Sequence, residues 1–146
     1  MRSGFAAGDA ALMKKFLLYR TYHGSAMSLP VQKASIAAWN DEAHVQENRR
    51  LYADKFKAVL PLIGAPLQAA MPDGGFYLWM RTPIDDTEFV RRLLDEYNVL
   101  VLPGSYLGRE VGGVNPGRNH VRVALVAPLA DCVEAAERMT RFAEKL

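Results

Sequence analysis

The stretch Gly117-Arg118-Asn119-His120-Val121-Arg122-Val123-Ala124-Leu125-Val126 decides how this chain is read. Val121, Val123 and Leu125 alternate with His120, Arg122 and Ala124, the two-residue period of a strand that buries one face. The alternation places Arg122 on the opposite face. A guanidinium in mid-strand needs a partner, because burying an unpaired charge is costly. Three readings stay open at this point: a carboxylate of the protein meets it, a ligand from outside does, or the side chain reaches from the sheet into water.

Working outward, Pro128 opens a final helix in which Cys132, Ala136, Met139, Ala143 and Leu146 recur at steps of four, three, four and three. Cys132 therefore belongs to the core stripe and is read as a buried, inert thiol. On the other side, residues 104–119 are rich in glycine and form an irregular excursion that returns the chain to the Arg122 strand. Before it, Val99-Leu100-Val101-Leu102 reads as a short inner strand stopped by Pro103-Gly104. Asp85 followed by Glu88 is a capping-box pattern, and Phe89, Val90, Leu93, Leu94 and Tyr97 trace the buried side of a helix. Asn98 is suited to the left-handed turn that ends it. Residues 67–80 read as strand, broken by Pro72-Asp73-Gly74-Gly75 and resuming as Phe76-Tyr77-Leu78-Trp79-Met80, an unbroken apolar run expected to be buried on both faces.

Further out, residues 41–63 carry the longest helical signal, with Asp41 and Glu42 at the positive end and Val45, Tyr52, Phe56, Val59, Leu60 and Ile63 along one stripe. Pro61 lacks a backbone donor and should kink or end the last turn. Residues 67–146 thus give strand, helix, strand, strand, helix. This is an α/β layer, with helices stacked on one face of a small mixed sheet and a long connector helix leading in. Ahead of it, Ser28 with Pro30 predicts a short helix of small residues, and Asp9 caps a helix whose apolar face is Leu12, Met13, Phe16 and Leu17, ending near Gly24. The first nine residues read as the end of a strand and a turn. Residues 1–40 do not complete a domain of their own, so the chain divides into 1–40 and 41–146.

Composition narrows the function. Of 146 residues half are apolar, and 18 Lys and Arg stand against 16 Asp and Glu. The positive charges are dispersed, which speaks against a nucleic-acid partner. No apolar stretch approaches a membrane span, and a soluble cytoplasmic protein is expected. His23, His44 and His120 lack metal-binding spacing, so no metal is expected.

Four motifs in order carry a resemblance: Arg2-Ser3-Gly4; Pro72-Asp73-Gly74-Gly75-Phe76-Tyr77-Leu78-Trp79; Val101-Leu102-Pro103-Gly104-Ser105; and Val121-Arg122-Val123-Ala124. With the long helix between the first two, the set resembles the C-terminal part of class I/II aminotransferases of fold type I, which depend on pyridoxal 5′-phosphate. Asn115-Pro116-Gly117-Arg118 leading into Val121-Arg122-Val123-Ala124-Leu125-Val126-Ala127-Pro128-Leu129 is most similar to the N-succinyldiaminopimelate aminotransferases of lysine biosynthesis.

The resemblance implies a fold and a set of roles. Residues 1–40 would be the C-terminal remnant of the large cofactor domain, and 41–146 the connector helix and small C-terminal domain. The intact protein would be a homodimer that moves an amino group between an amino acid, with glutamate as donor, and a 2-oxo acid, with N-succinyl-diaminopimelate as substrate. Arg122 would hold the substrate α-carboxylate, whose two oxygens match the planar guanidinium fork. Arg2 would bind the cofactor phosphate, and Gly4 would sit where the chain passes close by. Phe76 would lie at the substrate mouth, its other reading being plain core. Tyr22, His23 and Ser25 would occupy a loop reaching the partner subunit's active site, or else an exposed loop. The family's catalytic lysine falls ahead of Met1, and because the family often has Pro-Gly-Leu/Met-Arg at this point, the resemblance implies that Met1 is an internal residue, its other reading being a true start. Lys14 and Lys15 lie on the wrong side of Arg2 to replace it, and this chain alone is expected to be inactive. The alternative from another class is a non-catalytic α/β module that binds an amino acid or a protein partner, with Arg122 as its carboxylate clamp.

Overall fold

In a computed structural model, residues 2–24 and 26–146 are described, and Met1 and Ser25 lie outside them. Their elements run α1 (Ala10–Tyr22), α2 (Leu29–Trp39), α3 (Glu42–Val59), β1 (Tyr77–Arg81), α4 (Asp86–Tyr97), β2 (Leu102–Pro103), β3 (His120–Ala124) and α5 (Leu129–Ala143). The chain forms two compact units, Met1–Glu47 and Asn48–Leu146, divided within α3.

In the first unit Asp9 caps α1 as expected, its carboxylate accepting from the N–H groups of Ala11 and Leu12 at 3.0 Å each. Ser28 precedes α2 without a side-chain capping bond. Instead, Gln32 Nε2 donates to the Met27 carbonyl at 2.7 Å. The apolar face expected of α1 is present but uncovered, with Leu12 62% and Leu17 70% exposed. The strand expected in the first nine residues is not formed, and the described residues 2–9 are neither helix nor strand. A strand needs a neighbour to take its backbone N–H and C=O groups, and the described residues of this unit contain none.

The second unit has its own core. Pro61 ends α3 as expected: the helix stops at Val59 and tightens into a 3₁₀ turn over Leu60–Leu62. Phe56 and Val59 on its stripe are buried. Asp85 caps α4, and Asn98 closes it in the left-handed conformation at φ 55°. The aromatic rings of Phe89 on α4 and Phe142 on α5 meet edge to face at 5.1 Å. Together these helices cover the face of the sheet carrying Leu78, Met80, Val121 and Val123.

The sheet has the order β1-β3-β2, and both of its ladders are antiparallel. This corrects the expected mixed sheet. β1 and β2, joined through α4, run the same way, but β3 arrives later and inserts between them, so no two parallel strands are paired. Three further expectations change. The Phe76–Met80 run is not buried on both faces: β1 alternates exposed and buried, with Tyr77 and Trp79 about 40% exposed. Helices cover only one side in this unit. Residues 67–71 contribute one bridge, Gln68 to Arg81, rather than a strand. Pro66 and Pro72 bracket that segment and lack the donors of a longer ladder. Of the inner strand expected over 99–102, only Leu102–Pro103 pairs, although Val99 and Val101 are buried. No helix of the described residues is long and apolar enough to cross a membrane.

Candidate functional site

The alternation of β1 and β3 sends Tyr77, Trp79, His120 and Arg122 to the sheet face that α4 and α5 leave open. In register, Tyr77 pairs with Ala124, Trp79 with Arg122, and Arg81 with His120. The side chains meet along the diagonals. Arg122 Cζ lies 5.4 Å from the centre of the Tyr77 ring, and His120 stacks on Trp79 at 5.5 Å with 9° between the planes. Ala124, opposite Tyr77, is small and leaves that ring open to the guanidinium. Phe76 meets Tyr77 edge-on at 5.4 Å and 88°, and Tyr52 of α3 lies 6.0 Å beyond Phe76. The two residues assigned to substrate, Arg122 and Phe76, are thus brought into one cluster with Tyr77 between them.

Arg122 is half-buried, and among the described residues its guanidinium meets no carboxylate. Ion pairs described in this unit run along helices, for example Arg50 with Asp54 and Arg92 with Glu96. An internal acid is therefore not what holds Arg122. A guanidinium lying over a ring keeps its N–H edges for another acceptor, and a carboxylate fits them through two charge-assisted bonds. His120 has one nitrogen committed, because Nδ1 lies 2.9 Å from the Arg118 carbonyl and must carry the proton there.

The support for β3 comes from a residue the sequence reading did not single out. Asp86, the first residue of α4, is fully buried. Its carboxylate accepts the Ser105 N–H at 2.9 Å and hydroxyl at 2.6 Å, and the Asn119 N–H at 3.0 Å. Ser105 and Asn119 stand at the two ends of the glycine-rich excursion, so one buried acid, favoured by the positive end of α4, ties both to the helix. The signal available in the sequence was the doubled Asp85-Asp86 at a helix start, where one residue suffices as cap. Gly104 and Gly117 complete the tie by backbone contact: a Cβ on Gly117 would strike the Gly104 carbonyl. On the far side of β3, Lys55 Nζ donates to the Leu125 carbonyl at 2.8 Å and so joins α3 to the strand's end.

The remaining candidates lie in the first unit. Arg2 is exposed and has no ion pair or hydrogen bond among the described residues. At Gly4 a Cβ would meet nothing within 4 Å, so the close passage expected there is not made within this unit. Tyr22, at the end of α1, is 80% exposed. His23 stacks on Tyr19 at 4.6 Å. Ser25 falls outside the described residues. Among them, no group of three or more His, Cys, Asp or Glu is placed to hold a metal.

Comparison with known proteins adds a family. The sequence family described as aminotransferase class I and II matches residues 1–139. A probable aminotransferase of Mycobacterium tuberculosis is 34% identical over 142 residues, which are 95% of this chain and 32% of the relative. Among solved structures, an aminotransferase from Neisseria meningitidis is 54% identical with a TM-score of 0.82, over 97% of this chain and 36% of its own. A probable N-succinyldiaminopimelate aminotransferase from Thermus thermophilus is 31% identical with a TM-score of 0.59, over 70% of this chain and 26% of its own. The chain spans about a third of the length of the curated relatives it matches.

Proposed function

This chain belongs to the class I and II aminotransferases, and from that membership we propose that it is the C-terminal portion of a pyridoxal-phosphate-dependent aminotransferase. Residues 1–40 are then the end of the large cofactor domain, and 41–146 the connector helix and small domain. The enzyme moves an amino group between an amino acid, with glutamate as donor, and a 2-oxo acid. N-succinyl-diaminopimelate of lysine biosynthesis is the substrate, a choice supported by the Asn115-to-Leu129 motif and by the Thermus thermophilus neighbour. Family membership also supports a cytoplasmic homodimer.

The observation that carries the reading is Arg122, a half-buried cation on an open sheet face that meets no carboxylate among the described residues. It binds the α-carboxylate of the substrate through its fork and fixes the orientation of the α-carbon as well as its charge. Phe76, at the edge of the same cluster, borders the place where the substrate enters. Arg2 suits the cofactor's phosphate, since its exposed guanidinium has no described partner and offers planar donors to oxyanions. When bound, pyridoxal phosphate supplies the electron sink for breaking bonds at the substrate α-carbon.

The test is steady-state kinetics of the full-length holoenzyme with N-succinyl-LL-diaminopimelate and 2-oxoglutarate. Arg122→Ala should raise KM for the amino acid by about 100-fold, the scale of losing a desolvated charge pair. An unchanged KM would overturn the role of Arg122. Transfer from other amino acids but none from the succinylated substrate would retain the aminotransferase and replace its substrate.

A further inference from the structure

Tyr77 touches Arg122 and has no role in the reading above. We propose that Tyr77 is the positioning residue of Arg122, its ring face holding the guanidinium plane so that the fork stands ready for an α-carboxylate. The proposal rests on the reading of Arg122 as the carboxylate-binding group.

Three observations carry it. The guanidinium lies over the ring, with Cζ 5.4 Å from its centre. Trp79, the residue directly opposite Arg122 on the ladder, is engaged in its stack with His120 and leaves the place to Tyr77. The Tyr77 ring is itself braced, edge-on by Phe76, which in turn leans on Tyr52 of α3. The chemistry explains why a ring stands here rather than an acid. A carboxylate would orient the guanidinium but would take up two N–H groups and neutralise its charge. The negative face of an aromatic ring attracts the cation and leaves all five N–H groups for the ligand. The hydroxyl of Tyr77 takes no part in this, so phenylalanine should serve as well.

The experiment measures kcat and KM for L-glutamate in the full-length holoenzyme carrying Tyr77→Leu, Tyr77→Phe, Arg122→Ala, or both Tyr77→Leu and Arg122→Ala. Tyr77→Met, which also lacks a ring, takes the place of the leucine variant if that one does not fold. The expected result is a rise in KM of about 5- to 10-fold for Tyr77→Leu, the scale of a partly desolvated cation–ring contact. Its kcat should stay within about twofold, Tyr77→Phe should keep the parent KM, and Tyr77→Leu should add nothing once Arg122 is alanine. If Arg122→Ala raises KM while Tyr77→Leu does not, the positioning role falls and the reading of Arg122 stands. The role also falls if the leucine effect persists undiminished in the Arg122→Ala background, or if Tyr77→Phe fails to restore KM. If Arg122→Ala leaves KM unchanged, the reading of Arg122 falls and takes this proposal with it.

Discussion

Asp86 accepts two hydrogen bonds from Ser105, one from its backbone N–H at 2.9 Å and one from its hydroxyl at 2.6 Å. The other carboxylate oxygen takes the Asn119 N–H at 3.0 Å. Asp86→Ala removes the acceptor and leaves three donors in or near the interior without partners, at a cost of about 2–4 kcal/mol. Urea unfolding should show that loss. Asp86→Asn, which keeps the shape but turns an N–H group on one of the donors, should fall between the parent and the alanine variant.

Gly117 and Gly104 are held backbone to backbone, and a methyl group on Gly117 would strike the Gly104 carbonyl carbon and oxygen. No flexible side chain is there to yield. Gly117→Ala should destabilise by about 3 kcal/mol, at the upper end for overpacking. At Gly112, where a Cβ would meet nothing within 4 Å but φ is +59°, alanine should cost less, since only the backbone conformation is strained. Thermal unfolding of the two variants side by side checks the order.

Arg122→Lys keeps the positive charge and loses the fork. On the proposed reading of Arg122 as the carboxylate-binding group, KM for L-glutamate in the full-length holoenzyme should rise about tenfold while the charge is unaltered. Equal KM values for parent and lysine variant would show that charge alone is used.

Asp85 caps α4 through Oδ1, which accepts from the Thr87 hydroxyl at 2.6 Å and from the Thr87 and Glu88 N–H groups at 3.0 and 3.3 Å. These bonds, the Thr87 hydroxyl first, hold its carboxyl below the ordinary Asp value. A lowered value in the fold means that the folded state favours the ionised form. The contribution is therefore complete above the unfolded-state value of about 3.9 and is lost as pH falls through the lower folded-state value. Asp85→Asn should flatten that part of the acid limb, while Asp85→Ala should cost about 1 kcal/mol at neutral pH. Denaturant unfolding at pH 7 and pH 3 separates the two.

Cys132 is 5% exposed and its thiol donates to the Ala127 carbonyl at 3.3 Å. Burial pushes the thiol pKa up. Native protein should react with iodoacetamide at pH 7.5 at least about 100-fold more slowly than unfolded protein. Rapid labelling of the native state would show that the α5 stripe opens readily.

The helix boundaries were legible because their causes are local. Asp9, Asp85, Pro61 and Asn98 each act on backbone groups within five residues, and each marks an element where it was expected. The strand at Arg122 was legible for the same reason, since alternation alone separates Val121 and Val123 from Arg122. The aromatic run of β1 was misjudged because its apolarity was taken to mean burial on both faces, although helices were expected on only one face of the sheet. Tyr77 and Trp79 are apolar by composition, and they stand on the open side. Asp86 was passed over since its partners, Ser105 and Asn119, are 19 and 33 residues away.

By itself, the sequence determined that five helices and a period-two strand would form, that Arg122 would face away from the core, and which family the motif order belongs to. Those properties follow from dihedral preferences, capping and spacing along a few residues. Tertiary structure alone decided that β3 inserts between β1 and β2, that Tyr77 and Trp79 of the aromatic run stand on an open face, and that Arg122 settles over Tyr77 instead of an internal acid. Such outcomes depend on which distant segments meet, and packing selects those contacts from many that the local sequence permits equally.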